Sequence, residues 1–425
     1  MARNGSLPGP LDGIRVLDFT RHLAGAGSTR ILATLGAEIL RIEWPHPPAL
    51  DFLRLSGPHA DGRPGMNRGG FFAQINVGKK SVAIDMSTEA GKAIARELIP
   101  HCDVIAESFS PGVMKRWGLD YESVRALRPD VIYLSASGFG QTGPYAGYRS
   151  VGPTAQAYSG LTATSGLPDR EPAGWGFSYM DHMGAVMNAA AILMGLERRR
   201  ATGEGEFFDA GQSQHGCALL GPMLLDVSLN GAQVRPKGNR DLYGNFCPNN
   251  AYRCRGEDSW LAISVREPHE WAALCETIGA DDLVARPELA TLAGRLAHED
   301  EIDSRIEAWT QPCDAHEAMA ALQEAGVPAG VAQTVEDKVH HDPQLAFRGL
   351  YTTLDDPVLG EKRYEDIPVT MSGFEVGVPG PSPWLGADTR EVLRDLLGYS
   401  GEKLEQLKAE AIIDDAITLE EAQAV

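Results

Sequence analysis

Five short apolar runs, each followed by a stretch with helical spacing, govern what this chain can become: residues 14–19, 37–43, 81–85, 103–107 and 130–134. Strands of this length separated by helices are βαβ units, and right-handed crossovers stack such units into one parallel sheet. The pattern therefore predicts an α/β large domain with a doubly wound, Rossmann-like parallel sheet. Helices cover both faces of such a sheet, which is why the runs are continuously apolar instead of alternating. Ligands of open α/β sheets sit outside the carboxyl ends of the strands. The loops expected there are residues 20–28, 44–80, 108–118 and 135–148.

The pattern changes beyond residue 200. The segment Arg198-Arg199-Arg200-Ala201-Thr202-Gly203-Glu204-Gly205-Glu206 is charged and contains glycine, as an exit from a domain would be. Residues 1–200 are thus expected to form the large domain and 201–238 a linker. Residues 251–254 and 260–265 flank the turn Arg255-Gly256-Glu257-Asp258 and read as paired strands, opening a smaller α+β domain over 239–331. Residues 332–425 combine proline-rich and glycine-rich linker with a helical tail that returns to the large domain.

Charge and cysteine usage narrow the partners. A formal net charge of -20 opposes nucleic acid or an anionic membrane surface as a partner, so an anionic ligand must meet a local positive patch. Such patches stand at Lys79-Lys80 and Lys115-Arg116, with Arg21, Arg30 and Arg41 near the first strands. Six scattered cysteines form no paired framework, no apolar run approaches the length of a spanning helix, and the first ten residues lack a signal-peptide core. A cytoplasmic protein is expected.

Asp181 is the leading candidate for chemistry. It stands in Gly176-Phe177-Ser178-Tyr179-Met180-Asp181-His182-Met183-Gly184, ahead of Met183, Val186, Met187, Ala190, Leu193 and Met194, whose spacing describes one buried helix face. Helix N-terminal N–H groups and the dipole keep a carboxylate there ionised, as a nucleophile requires. The same position is that of an ordinary N-cap. Weaker patterns carry less. Gly25-Ala26-Gly27 after the first strand imitates a dinucleotide turn, but Arg30 replaces its third glycine. Gly211-Gln212-Ser213-Gln214-His215 imitates a nucleophile elbow, with His215 where glycine is needed. His215 with Cys217, Cys247 with Cys254, and His340-His341 lack metal-ligand spacing, so no metal site and no tightly bound cofactor are expected.

Six segments in order carry a family resemblance. They are Leu11-Asp12-Gly13-Ile14-Arg15-Val16-Leu17-Asp18-Phe19-Thr20, Leu35 to Glu43, Asn76-Val77-Gly78-Lys79-Lys80-Ser81, Asp103 to Gly112 with Arg116 and Gly118, Ser137-Gly138-Phe139-Gly140-Gln141-Thr142-Gly143-Pro144, and a tail from Leu385-Gly386 to Ile412-Ile413. Together they resemble the class III CoA-transferases, of the formyl-CoA and carnitine CoA-transferase kind, over nearly the whole chain. Asp181 falls where that family has its catalytic aspartate.

The resemblance implies a reaction. The aspartate attacks a donor acyl-CoA to give a mixed anhydride, and the released CoA thiolate converts this to an aspartyl-CoA thioester. The acceptor carboxylate then takes the acyl position and receives CoA. By position, Lys79 and Arg116 match residues that hold CoA phosphates or the adenine region, Phe109 and Val113 match residues lining the nucleotide, and Ser137 and Gly138 lie in the loop expected to contact CoA. Ser108 and Leu23 replace an asparagine and a glutamine of formyl-CoA transferase. Glycine N–H groups at Gly138 or Gly140 are candidate oxyanion donors. Coenzyme A thioester enters as substrate, not as bound cofactor. The family's form is an interlocked dimer, here a homodimer or a heterodimer with a homologous subunit.

Succinyl-CoA is the expected kind of donor. Trp175, Phe177, Tyr179 and Phe246 point to a larger or aromatic acceptor acid, as in benzylsuccinate CoA-transferases. Two alternatives stay open. One is an α-methylacyl-CoA racemase-type enzyme, disfavoured because its histidine would fall near Val151, where there is none. The other is a noncatalytic CoA-binding subunit.

Overall fold

The computed structural model describes residues 9–46, 49–356 and 358–415. They divide into two compact units: one takes the chain up to Ser159, Gly176–Leu220 and the chain from Leu345 onward, and the other takes Gly160–Trp175 and Gly221–Gln344.

In the first unit the five apolar runs form β1 (Arg15–Phe19), β2 (Glu38–Glu43), β3 (Lys80–Ile84), β4 (Val104–Glu107) and β5 (Ile132–Ser137), joined by β6 (Glu206–Gly211). These six are parallel in the order 3-2-1-4-5-6, and Ile413–Asp414 adds an antiparallel edge beside β3. The order reverses between β1 and β4, where the crossovers leave on opposite sides and open a crevice. Five helices bear on this crevice: α1 (His22–Thr34), α2 (Val113–Trp117), α3 (Gly152–Tyr158), α4 (Tyr179–Thr202) and α5 (Gln212–Leu219).

Alternation along the strands splits the core in two. Val16, Ile39, Val104 and Ile132 pack with Leu32 of α1 and Ile192 of α4, while Leu17, Leu40, Val82 and Ile105 pack with Ile94, Leu98 and the tail residues Val392 and Leu393. Beneath the crevice lies a buried ionic network. Arg41 pairs with Asp51, and Arg54 donates to both oxygens of Glu43 at 2.6 and 2.9 Å.

The second unit holds an antiparallel sheet of β7 (Asn249–Arg253), β8 (Trp260–Ser264) and β9 (Ala329–Val331), with Leu261, Ile263, Trp271 and Leu274 in its core. No helix among the described residues is long and apolar enough to cross a membrane.

Three sequence expectations change. Residues 201–238 are not simply a linker, because β6 pairs with β5 from Glu206 to Gly211 and α5 follows at once. The small-residue stretch 24–28 is not a turn but the first part of α1. Its glycines permit close approach: a Cβ on Gly27 would stand 2.9 Å from that of Ala185 in α4. On α4 itself the buried face is Met180, Gly184, Ala185, Asn188, Ala189 and Ile192. The apolar stripe expected to be buried is partly outward, with Val186 54% and Met194 61% exposed. Small residues win the inward face because α1 comes too close for large ones.

Candidate active site

A cleft of about 1100 Å³ lies over the carboxyl ends of β1 to β5. Each strand end contributes to its wall: Asp85 follows β3, Trp44 follows β2, Arg21 follows β1, Phe109 follows β4, and Ser137 ends β5. Phe109 meets Trp117 edge-on at 5.1 Å, and the Arg21 guanidinium lies 5.7 Å from the Phe109 ring centre. A smaller cavity of about 230 Å³ shares Arg21, His22, Phe52, Ser108, Ser137 and Gly138 with the cleft, and Asp181 lines it.

Asp181 is the third residue of α4, and the N-cap is Ser178, in the left-handed region at φ 50. The Asp181 N–H donates to the Ser178 carbonyl at 2.9 Å. The cap lies three residues earlier than Asp181, which sits in the first helical turn with its side chain in the cavity wall. Gln212, the first residue of α5, donates its amide N–H to Asp181 Oδ1 at 2.8 Å. The other oxygen rests against Gly152, where an added Cβ would stand 2.3 Å from Oδ2. Burial raises the Asp181 carboxyl above its ordinary value, and the Gln212 bond, the charges of His182 and His22 and a hydrogen bond from the Ser178 side chain partly oppose this. The result is a desolvated carboxylate with one oxygen held and the other facing a glycine.

The remaining expected residues divide. Ser137 and Gly138 line both cavities, and Phe109 and Val113 line the large cleft. Gly138 is required by crowding, since a Cβ there would fall 1.7 Å from Ser150 Oγ. Arg116 is exposed on α2, the helix that contributes Val113 and Trp117 to the cleft, but is not itself in its wall.

Lys79 is a correction. It is buried, and its ammonium donates to Asp18 Oδ2 at 3.2 Å, the Ala26 carbonyl at 2.8 Å and Thr29 Oγ1 at 2.7 Å. Its three donors are used inside the protein, so none is left for a phosphate. Burial works to raise the Asp18 carboxyl, but Lys79, Arg41 and the Thr20 and Thr29 hydroxyls hold it below its usual value.

Four groups at or beside the site were given no role at Asp181 from sequence. Gln212 and His215 lay in a stretch read as linker and failed elbow, although Phe207-Phe208 between Gly205 and Gly211 carried a strand signal. His22 opens α1 with φ 57, a backbone strain rare outside glycine, and lines both cavities. Glu107 is buried at the end of β4, where Oε2 accepts the Phe109 N–H at 2.7 Å, and burial pushes its carboxyl up to about 7.

The profile of CoA-transferase family III matches residues 11–389. The chain belongs to that family. This CoA-transferase is similar to the succinyl-CoA–D-citramalate CoA-transferase of Chloroflexus aurantiacus, at 34% identity over 96% of this chain and 98% of the relative. It is 31% identical to the succinate–glutarate CoA-transferase of Agrobacterium fabrum, over 91% of this chain and 96% of that one. It is 30% identical to a formyl-CoA:oxalate CoA-transferase of Streptomyces coelicolor, over 95% and 99%. Among solved structures, a CaiB/BaiF family protein from Brucella suis superposes with a TM-score of 0.82 at 29% identity, covering 92% of this chain and all of that one.

Proposed function

We propose that this CoA-transferase moves CoA from succinyl-CoA, or a similar donor, to a carboxylic acid acceptor through covalent intermediates on Asp181. The observation that carries this is the Asp181 carboxylate itself. One oxygen is fixed by Gln212, the other lies against Gly152, and the cavity holding it shares a wall with a cleft large enough for the CoA arm.

Oδ2 attacks the thioester carbonyl and expels CoA thiolate, giving the mixed anhydride. The thiolate then attacks the aspartyl carbonyl, releasing the donor acid and leaving aspartyl-CoA. The acceptor carboxylate attacks that thioester, and the returning thiolate takes the acceptor acyl group, regenerating Asp181. A small, partly desolvated cavity protects the anhydride from water. Phe109, Val113, Trp117 and Trp44 offer apolar surface for the nucleotide end, with Ser137 and Gly138 at the thioester end.

The acceptor that fits best is a dicarboxylic acid. The relatives' names give succinate, citramalate, glutarate and oxalate, beside one formyl-CoA donor. Trp175, Phe177, Tyr179 and Phe246, the residues behind the aromatic-acid expectation, are not in the walls of either cavity.

A dimer is part of the proposal, since the outward apolar stripe on α4 asks for a cover. Light scattering is expected to give twice the chain mass, and a stable active monomer would refute the dimer. For the chemistry, incubation with succinyl-CoA followed by mass spectrometry is expected to find CoA on the peptide containing Asp181. Wild-type transfer by Asp181→Ala would end the proposal.

A further inference from the structure

The wall common to the two cavities carries a cation without a counter-ion. The Arg21 guanidinium makes no hydrogen bond or ion pair among the described residues, and its contact is the face of Phe109. The acids nearest to it are already engaged: Asp51 with Arg41, Glu43 with Arg54, and Asp18 with Lys79. Arg41 adds like charge from beneath, and burial further disfavours the guanidinium charge. An arginine stays protonated nonetheless. A half-buried, permanently charged group facing a cavity is relieved by an incoming anion, which a planar donor fork binds well when it is a carboxylate.

Position distinguishes the possible anions. Arg21 and His22 line the 230 Å³ cavity together with Asp181. That volume suits an acyl chain of a few carbons and excludes a nucleotide. The CoA phosphates lie at the far end of an uncharged pantetheine arm, so an anion in the small cavity belongs to the acyl group. Arg149 lines the large cleft and not the small cavity. His22, next in the chain, lines the same two cavities and carries a ring N–H able to donate.

We propose that Arg21, with His22, binds the distal carboxylate of a dicarboxylic acyl group and so selects dicarboxylic over monocarboxylic groups at the Asp181 cavity. The proposal rests on Asp181 being the nucleophile.

The test compares wild type, Arg21→Gln and Arg21→Lys with succinyl-CoA, with butyryl-CoA of equal chain length, and with a succinyl thioester of N-acetylcysteamine, which lacks phosphates. Formation of the covalent adduct on Asp181 is read in each case. Loss of one charge-assisted hydrogen bond predicts that the kcat/KM ratio of succinyl-CoA to butyryl-CoA falls roughly 10-fold to 100-fold in Arg21→Gln, with partial recovery in Arg21→Lys. The phosphate-free succinyl donor is expected to show the same loss. An unchanged ratio overturns the proposal. A loss on both CoA donors but not on the short donor also overturns it, and assigns Arg21 to phosphate. If wild type is inert with butyryl-CoA, competition of free succinate against butyrate supplies the ratio. Absence of any adduct on Asp181 in wild type would instead refute the underlying mechanism.

Discussion

The side-chain amide of Gln212 donates a 2.8 Å hydrogen bond to Oδ1 of Asp181, linking the first turn of α5 to the first turn of α4. The bond stabilises the ionised carboxylate against its own burial, and Oδ2 lies against Gly152. Replacing Gln212 by Leu is expected to lower kcat roughly 10-fold to 100-fold, the worth of one hydrogen bond to a charged group. The acid limb of the kcat/KM profile moves to higher pH, because Asp181 then needs a higher pH to ionise. A pH–rate profile with an unmoved acid limb would contradict this role.

Gly152 meets the other oxygen. Alanine there places a Cβ within 2.3 Å of Oδ2, so the carboxylate must turn away. Misplacement of a nucleophile by an ångström costs roughly 100-fold. Gly152→Ala is expected to lose activity on that scale while its thermal unfolding stays close to wild type, which calorimetry and initial rates check together.

Lys79 separates stability from binding. Lys79→Met leaves the buried Asp18 carboxylate without its ammonium partner, and breaking a buried pair costs about 3–5 kcal/mol. Denaturant unfolding is expected to show that loss, while KM for acyl-CoA in the remaining folded enzyme is little changed. A large KM effect with intact stability would restore Lys79 as a phosphate ligand.

Glu107 supplies a pH effect. Its carboxyl is raised to about 7, so the stability it contributes is fully present below the ordinary glutamate value and is lost as pH rises through about 7. The shift corresponds to about 3 kcal/mol. Glu107→Gln is expected to flatten the decline in stability between pH 5 and 8, measured by denaturant midpoints. Equal slopes in both proteins would remove Glu107 as the cause.

What was legible in the chain follows from locality. Leu17, Leu40, Val82 and Ile105 lie in apolar runs that form strands under almost any surroundings, so β1 to β5 could be read directly. β6 was hidden because Glu206, Asp209 and Gly211 look like loop, and pairing with β5 supplies what local preference lacks. The inward face of α4 was misread for a related reason. Helical periodicity finds an apolar stripe, but which stripe is buried depends on how closely α1 approaches.

The sequence by itself determined the parallel sheet and the family, and it singled out Asp181 as the candidate, since each is carried by a local pattern or by ordered motifs. Tertiary structure alone decided the state of that aspartate. Gln212 and Gly152 lie 31 and 29 residues from it in the chain, and only folding sets them on its two oxygens. It also decided the fate of the cations. Lys79 and Arg21 are alike as isolated charges, but burial against Asp18, Ala26 and Thr29 consumes one, and the shared cavity wall leaves the other open to a ligand.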